Sequence, residues 1–173
     1  MSALKYPVHE GDHVLGNADA PCTLVEYGDY QCPHCRAAHP LVKKLERHFG
    51  DRLRFVFRNF PLTQIHPDAE PAAEAAEFAA AGGKFWEMHD ELYHYQERLG
   101  EELYEELAVK LGLDTEGLRT ALENEAYLGK VRSDFSGGVR SGVNGTPTFF
   151  INGDRHNGPH DFESLSAKIE AAL

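Results

Sequence analysis

The sequence predicts an α/β fold in which a βαβ unit and a ββα unit flank a long helical segment. In the first unit, the apolar runs 23–27 and 53–60 read as strands on either side of a helix, and we expect them to pair in parallel through a right-handed crossover. In the last unit, the apolar run 148–151 precedes an Asn-Gly hairpin signal and a final helix. Residues 66–141 lie between the two units and show helical periodicity without a strand signal.

Length and composition indicate a globular domain with a substantial core. The chain has 173 residues, of which 42% are hydrophobic and 26% are charged. We therefore expect residues 1–173 to form one domain, with a helical insert over about 66–141. The net charge of −11 disfavours binding to nucleic-acid phosphates or to anionic membrane surfaces.

The sequence carries no signal for membrane insertion or export. It contains no apolar run of about 18 residues, which a membrane-spanning helix would need. Residues 1–10 also lack the apolar core and the cleavage site of a secretion signal. As written, the chain is therefore expected to be cytoplasmic, and a periplasmic or secreted location is expected if a leader peptide has been removed.

The remaining elements follow from periodicity and turn residues. Residues 13–15 form a candidate edge strand, and a turn signal leads from it into the strand predicted over 23–27. Glycines and short polar turns divide the central segment into helices. These are predicted over 71–81, 84–96, 101–111, 115–122 and 126–139. After the hairpin, Asp161 is expected to cap the final helix. The apolar side of that helix carries Phe162, Leu165, Ile169 and Leu173.

A pair of cysteines stands where the first strand gives way to a helix. Cys32 and Cys35 flank Pro33 and His34, and proline suits the first helical position because its missing N–H removes no helical hydrogen bond. Cys32 is therefore predicted at the helix N-cap, with the less exposed Cys35 one turn further on. Free amide groups and the helix dipole stabilise a thiolate there, and a protonated His34 would add a cation, so we expect a lowered pKa for Cys32. A stabilised thiolate favours the reduced form, so the motif indicates redox chemistry.

The cysteines also admit structural interpretations. Cys32 and Cys35 would form half of a zinc site, which needs a second ligand pair. His39 follows Cys35 by four residues, but it is interpreted as a partly exposed helix residue, and no metal site is predicted. Cys22 starts the first strand and is interpreted as a small apolar packing residue. Three cysteines at this spacing exclude a disulfide scaffold.

With these residues the sequence resembles a known family. Glu26 stands six residues before the Cys-Pro-His-Cys motif, and the run Gly-Thr-Pro-Thr-Phe-Phe occupies 145–150. Together these two features resemble the thioredoxin superfamily. Within it, the Pro-His dipeptide between the cysteines and the long helical insert are similar to the DsbA-like thiol–disulfide oxidoreductases. The resemblance runs from about Val14 to the C-terminus and implies a thioredoxin fold with an inserted helical subdomain.

The resemblance adds further residues to the dithiol. It implies that the Thr146–Pro147 bond is cis and faces the cysteines, where the Thr146 backbone can pair with an extended polypeptide. It also implies that Glu26 is buried beneath Cys35, where burial would raise its pKa and let it exchange protons with that thiol. The expected catalytic residues are Cys32 and Cys35. Their expected supporting residues are Pro33, His34, Glu26, Thr146 and Pro147.

We expect the protein to exchange disulfides with protein thiols or with small thiols such as glutathione, as a monomer and without an organic cofactor. Either direction of exchange passes through a mixed disulfide at Cys32, which Cys35 resolves. The sequence leaves open whether the protein is an oxidase or a reductase. It also leaves two other classes open. One is a glutathione-dependent isomerase or transferase of the same fold, which would not need both cysteines, and the other is a metal-binding module built from the cysteines and a histidine.

Overall fold

A five-stranded mixed sheet forms the centre of the protein. The computed structural model describes residues 3–173. The strands are β1 (His13–Gly16), β2 (Cys22–Gly28), β3 (Leu53–Asn59), β4 (Thr148–Ile151) and β5 (Asp154–Arg155). They lie in the order β1–β3–β2–β4–β5 across the sheet. Strands β2 and β3 are parallel, β1 is antiparallel to β3, and β4 is antiparallel to both β2 and β5.

Helices connect these strands in the predicted order. They are α1 (Pro33–Phe49), α2 (Ala69–Ala81), α3 (Phe85–His94), α4 (Glu101–Lys110), α5 (Thr115–Glu123), α6 (Leu128–Arg140) and α7 (Phe162–Ala171). Helix α1 joins β2 to β3, and α7 follows the β4–β5 hairpin, which confirms the predicted α/β fold of thioredoxin type. Helices α2 to α6 are inserted between β3 and β4. Within residues 3–173, no helix combines the length and the apolar character that a membrane crossing requires.

The helix boundaries differ from the predicted ones by a few residues. Helix α2 begins at Ala69 rather than Pro71, because a proline is tolerated within the first turn. Helix α3 ends at His94, and a short 3-10 turn at Gln96–Arg98 replaces its predicted last residues. Leu173 was expected on the packed side of the final helix, which was wrong. It lies beyond the end of α7 and is 44% exposed.

The alternation of side chains along β2 decides which of them reach the cysteines. Leu24 belongs to the same apolar cluster as Cys35, whereas Val25 and Tyr27 belong to a second cluster on the other face of the sheet. Since successive strand residues point to opposite faces, Glu26 shares the face of Leu24. The fold therefore buries a carboxyl group on the side of the sheet that carries the dithiol.

Candidate active site

Helix α1 begins at the dithiol. Pro33 is its first residue, and Cys32 stands at the N-cap with an extended backbone (φ −72°, ψ 122°). The Cys32 carbonyl accepts hydrogen bonds from the N–H groups of Cys35 and Arg36, at 3.1 Å each. In the described part of the chain no side chain caps this end of the helix, so its first-turn N–H groups can face a sulfur anion. Cys32 is 4% exposed, Cys35 is fully buried, and both are free thiols.

The loop before β4 lies against Cys32. Thr148 pairs with Tyr27, which sets the start of β4 beside the end of β2, close to the N-terminus of α1. The Thr146–Pro147 peptide bond is cis. The Cys32 sulfur lies 3.6 Å from the Thr146 carbonyl oxygen, to which the thiol donates a hydrogen bond when it is protonated. The structure thus brings two distant parts of the sequence together around one sulfur atom.

The surroundings of Cys32 stabilise its thiolate. They lower the pKa of Cys32 to about 5, and the largest contribution is a hydrogen bond from the Cys35 thiol. The Thr146 side chain and the backbone N–H groups of Cys35 and His34 add to this effect, while burial opposes it. The backbone N–H of His34 is one of these contributions, and the expected role of its exposed imidazole as a cation stays a prediction. At neutral pH Cys32 is an anion.

The pKa of Cys35 moves in the opposite direction from that of Cys32. Burial raises the pKa of Cys35 well above its ordinary value, and the hydrogen bond that it gives to Cys32 raises it further. The negative charges of Glu26 and Cys32 act in the same direction. Cys35 therefore stays protonated at neutral pH, and it needs a base whenever it must act as a nucleophile.

Glu26 is the buried acid on this side of the sheet. It is 3% exposed, and its Oε2 has no hydrogen-bond partner within the described residues. Burial raises the pKa of Glu26 to about 8, with a further contribution from the negative Cys32. A Cβ at Gly28 would lie 2.9 Å from Glu26 Oε2 and 2.5 Å from the Phe57 ring, so only glycine lets the strand close so tightly over the carboxyl group. A carboxyl group of this pKa can both give and take a proton near neutrality.

Two buried tyrosines lie near the Cys35 thiol and the Glu26 carboxyl group. Tyr30 and Tyr93 are 1% and 2% exposed, and their ring centroids lie 5.0 Å apart. The Tyr93 hydroxyl is buried, and it has no hydrogen-bond partner within residues 3–173. Its pKa is raised well above the usual value by burial, and next by the charges of Cys35 and Glu26. The aromatic rings therefore exclude water from the thiol and the carboxyl group.

An aspartate that the sequence analysis missed fixes the turn between β2 and α1. Asp29 is 1% exposed, and its Oδ1 accepts a hydrogen bond from the Gln31 N–H at 2.8 Å. Its Oδ2 accepts from the Leu62 N–H at 3.0 Å and lies 2.7 Å from His66 Nδ1. An aspartate two residues before a backbone N–H is typical of a turn, but nothing in the sequence links it to residues 62 and 66.

Gln96 was missed as well. Its side-chain Nε2 donates hydrogen bonds to the carbonyls of Tyr30, at 2.8 Å, and Cys32, at 2.9 Å. The amide thereby holds the backbone on both sides of residue 31, immediately before α1. Gln96 comes from the 3-10 turn in the helical insert. No sequence signal could identify it, because a glutamine at a helix end is ordinary and its partners are backbone atoms.

Cys22 stands apart from the site. It is fully buried at the start of β2, the end of the strand opposite to the dithiol. Burial raises the pKa of Cys22 to about 11, which makes its thiol unreactive at neutral pH. This agrees with its interpretation as a packing residue.

A helix-terminal dithiol, a cis-proline loop opposite it and a buried acid beneath it define the thioredoxin class of proteins. The chain belongs to this family, since the family model described as Thioredoxin matches residues 8–171. Within the family it is DsbA-like. It is similar to oxidised BdbD from Bacillus subtilis, with a TM-score of 0.89 and 27% identity over 99% of this chain and 97% of that one.

Two further solved structures are similar. A thioredoxin-like oxidoreductase from Silicibacter pomeroyi gives a TM-score of 0.83 at 29% identity, over 95% of this chain and 93% of that one. Alpha-DsbA1 from Wolbachia pipientis also gives 0.83, at 20% identity over 98% of this chain and 94% of that one. The likenesses to BdbD and to the Silicibacter protein support thiol–disulfide oxidoreductase activity in general terms, and the likeness to alpha-DsbA1 shows the fold alone.

One curated relative is named as an antiporter. Na(+)/H(+) antiporter NhaA 3 from Salinispora tropica is 45% identical over 162 residues, which are 94% of this chain. The chain spans 25% of that relative's length. Antiport is therefore an activity named for the longer protein, and the likeness concerns a quarter of it.

Proposed function

We propose that the protein oxidises pairs of thiols in polypeptide substrates through a disulfide between Cys32 and Cys35. The observation that carries the proposal is the contrast between the two thiols, one with a pKa of about 5 and the other with a pKa far above the ordinary value. A thiolate of low pKa is the better leaving group in disulfide exchange. Cys32 therefore suits the role of the sulfur that a substrate thiolate attacks first and that is released as a thiolate in the second exchange.

The exchange takes two steps. A substrate thiolate attacks Cys32 Sγ, the Cys32–Cys35 bond breaks, and Cys35 leaves as a thiolate that takes a proton from Glu26. A second substrate thiolate then attacks the substrate sulfur of the mixed disulfide and releases the Cys32 thiolate. The substrate loses two electrons and gains a disulfide, while the protein gains two electrons and becomes the dithiol.

Glu26 fits the role of proton donor and acceptor in this sequence. With a pKa of about 8 it is mostly protonated at neutral pH, so it can protonate Cys35 as that thiolate leaves. In the reverse direction its carboxylate would accept the proton of Cys35. Its unpartnered Oε2 is available for either transfer.

The lowered pKa of Cys32 also favours oxidation as the direction. At about pH 7, a pKa of about 5 in place of the ordinary 9.0 stabilises the reduced protein by about 2.7 kcal/mol, or roughly 60 mV. A dithiol whose reduced form is stabilised in this way is more readily reduced by cytosolic glutathione, so we propose that the protein works as an oxidant outside the cytoplasm. The cytoplasmic expectation finds no support in the comparisons.

Substrate docking is proposed at the Thr146 loop. Thr146 is partly exposed beside a nearly buried Cys32, and an extended polypeptide would reach the sulfur by lying along this loop. Backbone pairing of that kind recognises the chain rather than particular side chains. We therefore propose unfolded or extended polypeptides with paired cysteines as the substrate class.

Trapping of the mixed disulfide tests the proposal. A Cys35→Ser variant, mixed with a peptide that contains one disulfide, should accumulate a covalent complex through Cys32 that intact-mass measurement detects. Cys32→Ser should form none, and Cys22→Ser should behave like the wild type. A Cys35→Ser variant with full turnover would contradict the proposal and would favour a glutathione-dependent enzyme with one essential cysteine.

A further inference from the structure

We propose that His39, His89 and Asp90 form a binding site for a divalent cation of the zinc type, separate from the dithiol. One ring nitrogen of each histidine and a carboxylate oxygen of Asp90 lie within 4.8 Å of one another. His39 Nε2 and Asp90 Oδ1 are 3.2 Å apart. Neighbouring ligands around a tetrahedral zinc ion at ordinary bond lengths are separated by about 3.3 Å, so this pair needs little movement.

The buried histidine is already oriented by a second contact. His89 is 2% exposed, and its Nδ1 lies 2.8 Å from the Tyr30 hydroxyl. A metal ion bound through Nε2 leaves this hydrogen bond in place, and partners of that kind fix the ring of a ligating histidine. The rings of Trp86 and Tyr93 pack edge-on to His89, with centroids 5.2 Å away in each case. His89 is therefore a rigid donor.

The other two donors are open to solvent. The side chains of His39 and Asp90 are 18% and 41% exposed, and both line a surface cavity between α1 and α3. An ion can therefore enter from solvent and keep a water molecule as its fourth ligand. Two imidazoles, one carboxylate and a water form a donor set that zinc accepts.

A lysine side chain contacts the carboxylate of this donor set. Lys43 Nζ lies 3.2 Å from Asp90 Oδ1, the same oxygen that contacts His39. Its side chain is 30% exposed, so it can swing into solvent when an ion binds. Arg36 lines the same cavity and adds positive charge. We therefore expect an affinity that is limited by these two cations and that increases when Lys43 is neutralised.

The site would join two parts of the fold. His39 lies on α1, four residues after Cys35, whereas His89 and Asp90 lie on α3 of the helical insert. A bound ion would tie the dithiol helix to the insert without using either cysteine. This differs from the metal module considered from the sequence, which combined Cys32, Cys35 and a histidine.

Zinc titration of a cysteine-free active site tests the proposal. The parent protein is Cys32→Ser/Cys35→Ser, because the dithiol would itself bind zinc, and ZnCl₂ is the probe in isothermal titration calorimetry. We expect one zinc ion per chain in the parent and in the control His94→Ala, since His94 is an exposed histidine that lines the same cavity. His39→Ala should weaken binding by about tenfold or more. Lys43→Met should tighten it.

The outcomes separate this site from other histidines. Binding that is unchanged in His39→Ala, or an absence of zinc binding in both the parent and Lys43→Met, would overturn the proposal. Circular dichroism of each variant establishes that it is folded, and His39 is mutated rather than His89 because the buried ring contributes to the core. Because the parent lacks the dithiol, no outcome depends on the proposed redox function.

Discussion

Cys32 and Cys35 are identical side chains one turn apart on the same helix, yet the pKa values of their thiols move in opposite directions. Cys32 lies at the N-cap, where two backbone N–H groups, the Thr146 side chain and the Cys35 thiol all stabilise its anion. Cys35 lies inside the helix, where burial and two negative charges penalise its anion. One turn of helix thus separates a site for an anion from a site for a neutral thiol.

The comparison shows that the sign of the effect depends on hydrogen-bond donors rather than on exposure. Both cysteines are buried, and burial raises the pKa of each. At Cys32 the donors outweigh burial, whereas at Cys35 no comparable set of donors is present. Substitutions near one cysteine at a time separate the two effects.

The largest effect is expected on the Cys35 side, from Glu26→Gln. Glutamine cannot exchange the proton of Cys35, so the step in which Cys35 resolves or forms the mixed disulfide should slow by about 100-fold. Attack at Cys32 should remain within a few-fold of the wild-type rate. Stopped-flow measurement of both steps checks this, and Glu74→Gln is a matched control because Glu74 is also a buried acid whose pKa is raised, to about 7. Equal rates of resolution in wild type and Glu26→Gln would remove Glu26 from the mechanism.

The same variant should change how stability depends on pH. The pKa of Glu26 is about 8 in the folded protein and about 4.5 in the unfolded chain, so unfolding releases its proton and the wild type loses stability as pH rises through this window. Between about pH 5 and pH 8 the wild type should lose about 3 kcal/mol relative to Glu26→Gln. Urea unfolding of the reduced proteins at several pH values measures this. A constant difference across the window would mean that Glu26 is not a buried acid.

Replacing Gln96 by leucine tests the backbone that carries Cys32. The change removes two hydrogen bonds to the carbonyls of Tyr30 and Cys32, which should cost about 2 kcal/mol of stability. The helix N-terminus would also be less firmly held, so the pKa of Cys32 should rise. Glu97→Gln is the control, since that side chain lies in the same turn and is 85% exposed. A loss of stability without any change in the Cys32 pKa would make Gln96 a structural residue only.

The smallest effect is expected from Thr146→Val. The Thr146 hydroxyl is buried, it has no other hydrogen-bond partner among the described residues, and it contributes to the lowered pKa of Cys32. Valine keeps the shape and removes this donor, and the pKa of Cys32 should rise by about one pH unit. Thr148→Val is the control, because its hydroxyl donates to Gly145 at 2.8 Å and supports the loop. An equal rise in both variants would point to loop geometry rather than to the hydroxyl.

The sequence predicted the parts of this site that are local or that resemble a family. The Cys-Pro-His-Cys motif at a strand–helix junction predicted the N-cap position of Cys32 directly, whereas the buried position of Glu26 was predicted only through the family resemblance. Asp29 and Gln96 could not be found in this way. Asp29 contacts Leu62 and His66, which lie far away in the sequence, and only the folded insert brings Gln96 to the backbone carbonyls beside the dithiol. His39 and His89 share that difficulty, because they lie on different helices.

The exposed imidazole of His34 illustrates a second limit. The sequence predicts a cation beside the sulfur, and the structure shows a contribution from the backbone N–H of His34. The role of the imidazole stays a prediction, because a motif gives the residue but not the direction of its side chain.

The pKa of Cys32 is the most direct test of the proposed mechanism. Thiolate absorbance or the rate of alkylation, followed across pH in the reduced protein, should titrate with a pKa of about 5. Cys22 and Cys35 will not interfere, because burial raises the pKa of both. Cys32→Ser should lose this titration. A value near the ordinary 9.0 for Cys32 would contradict the account.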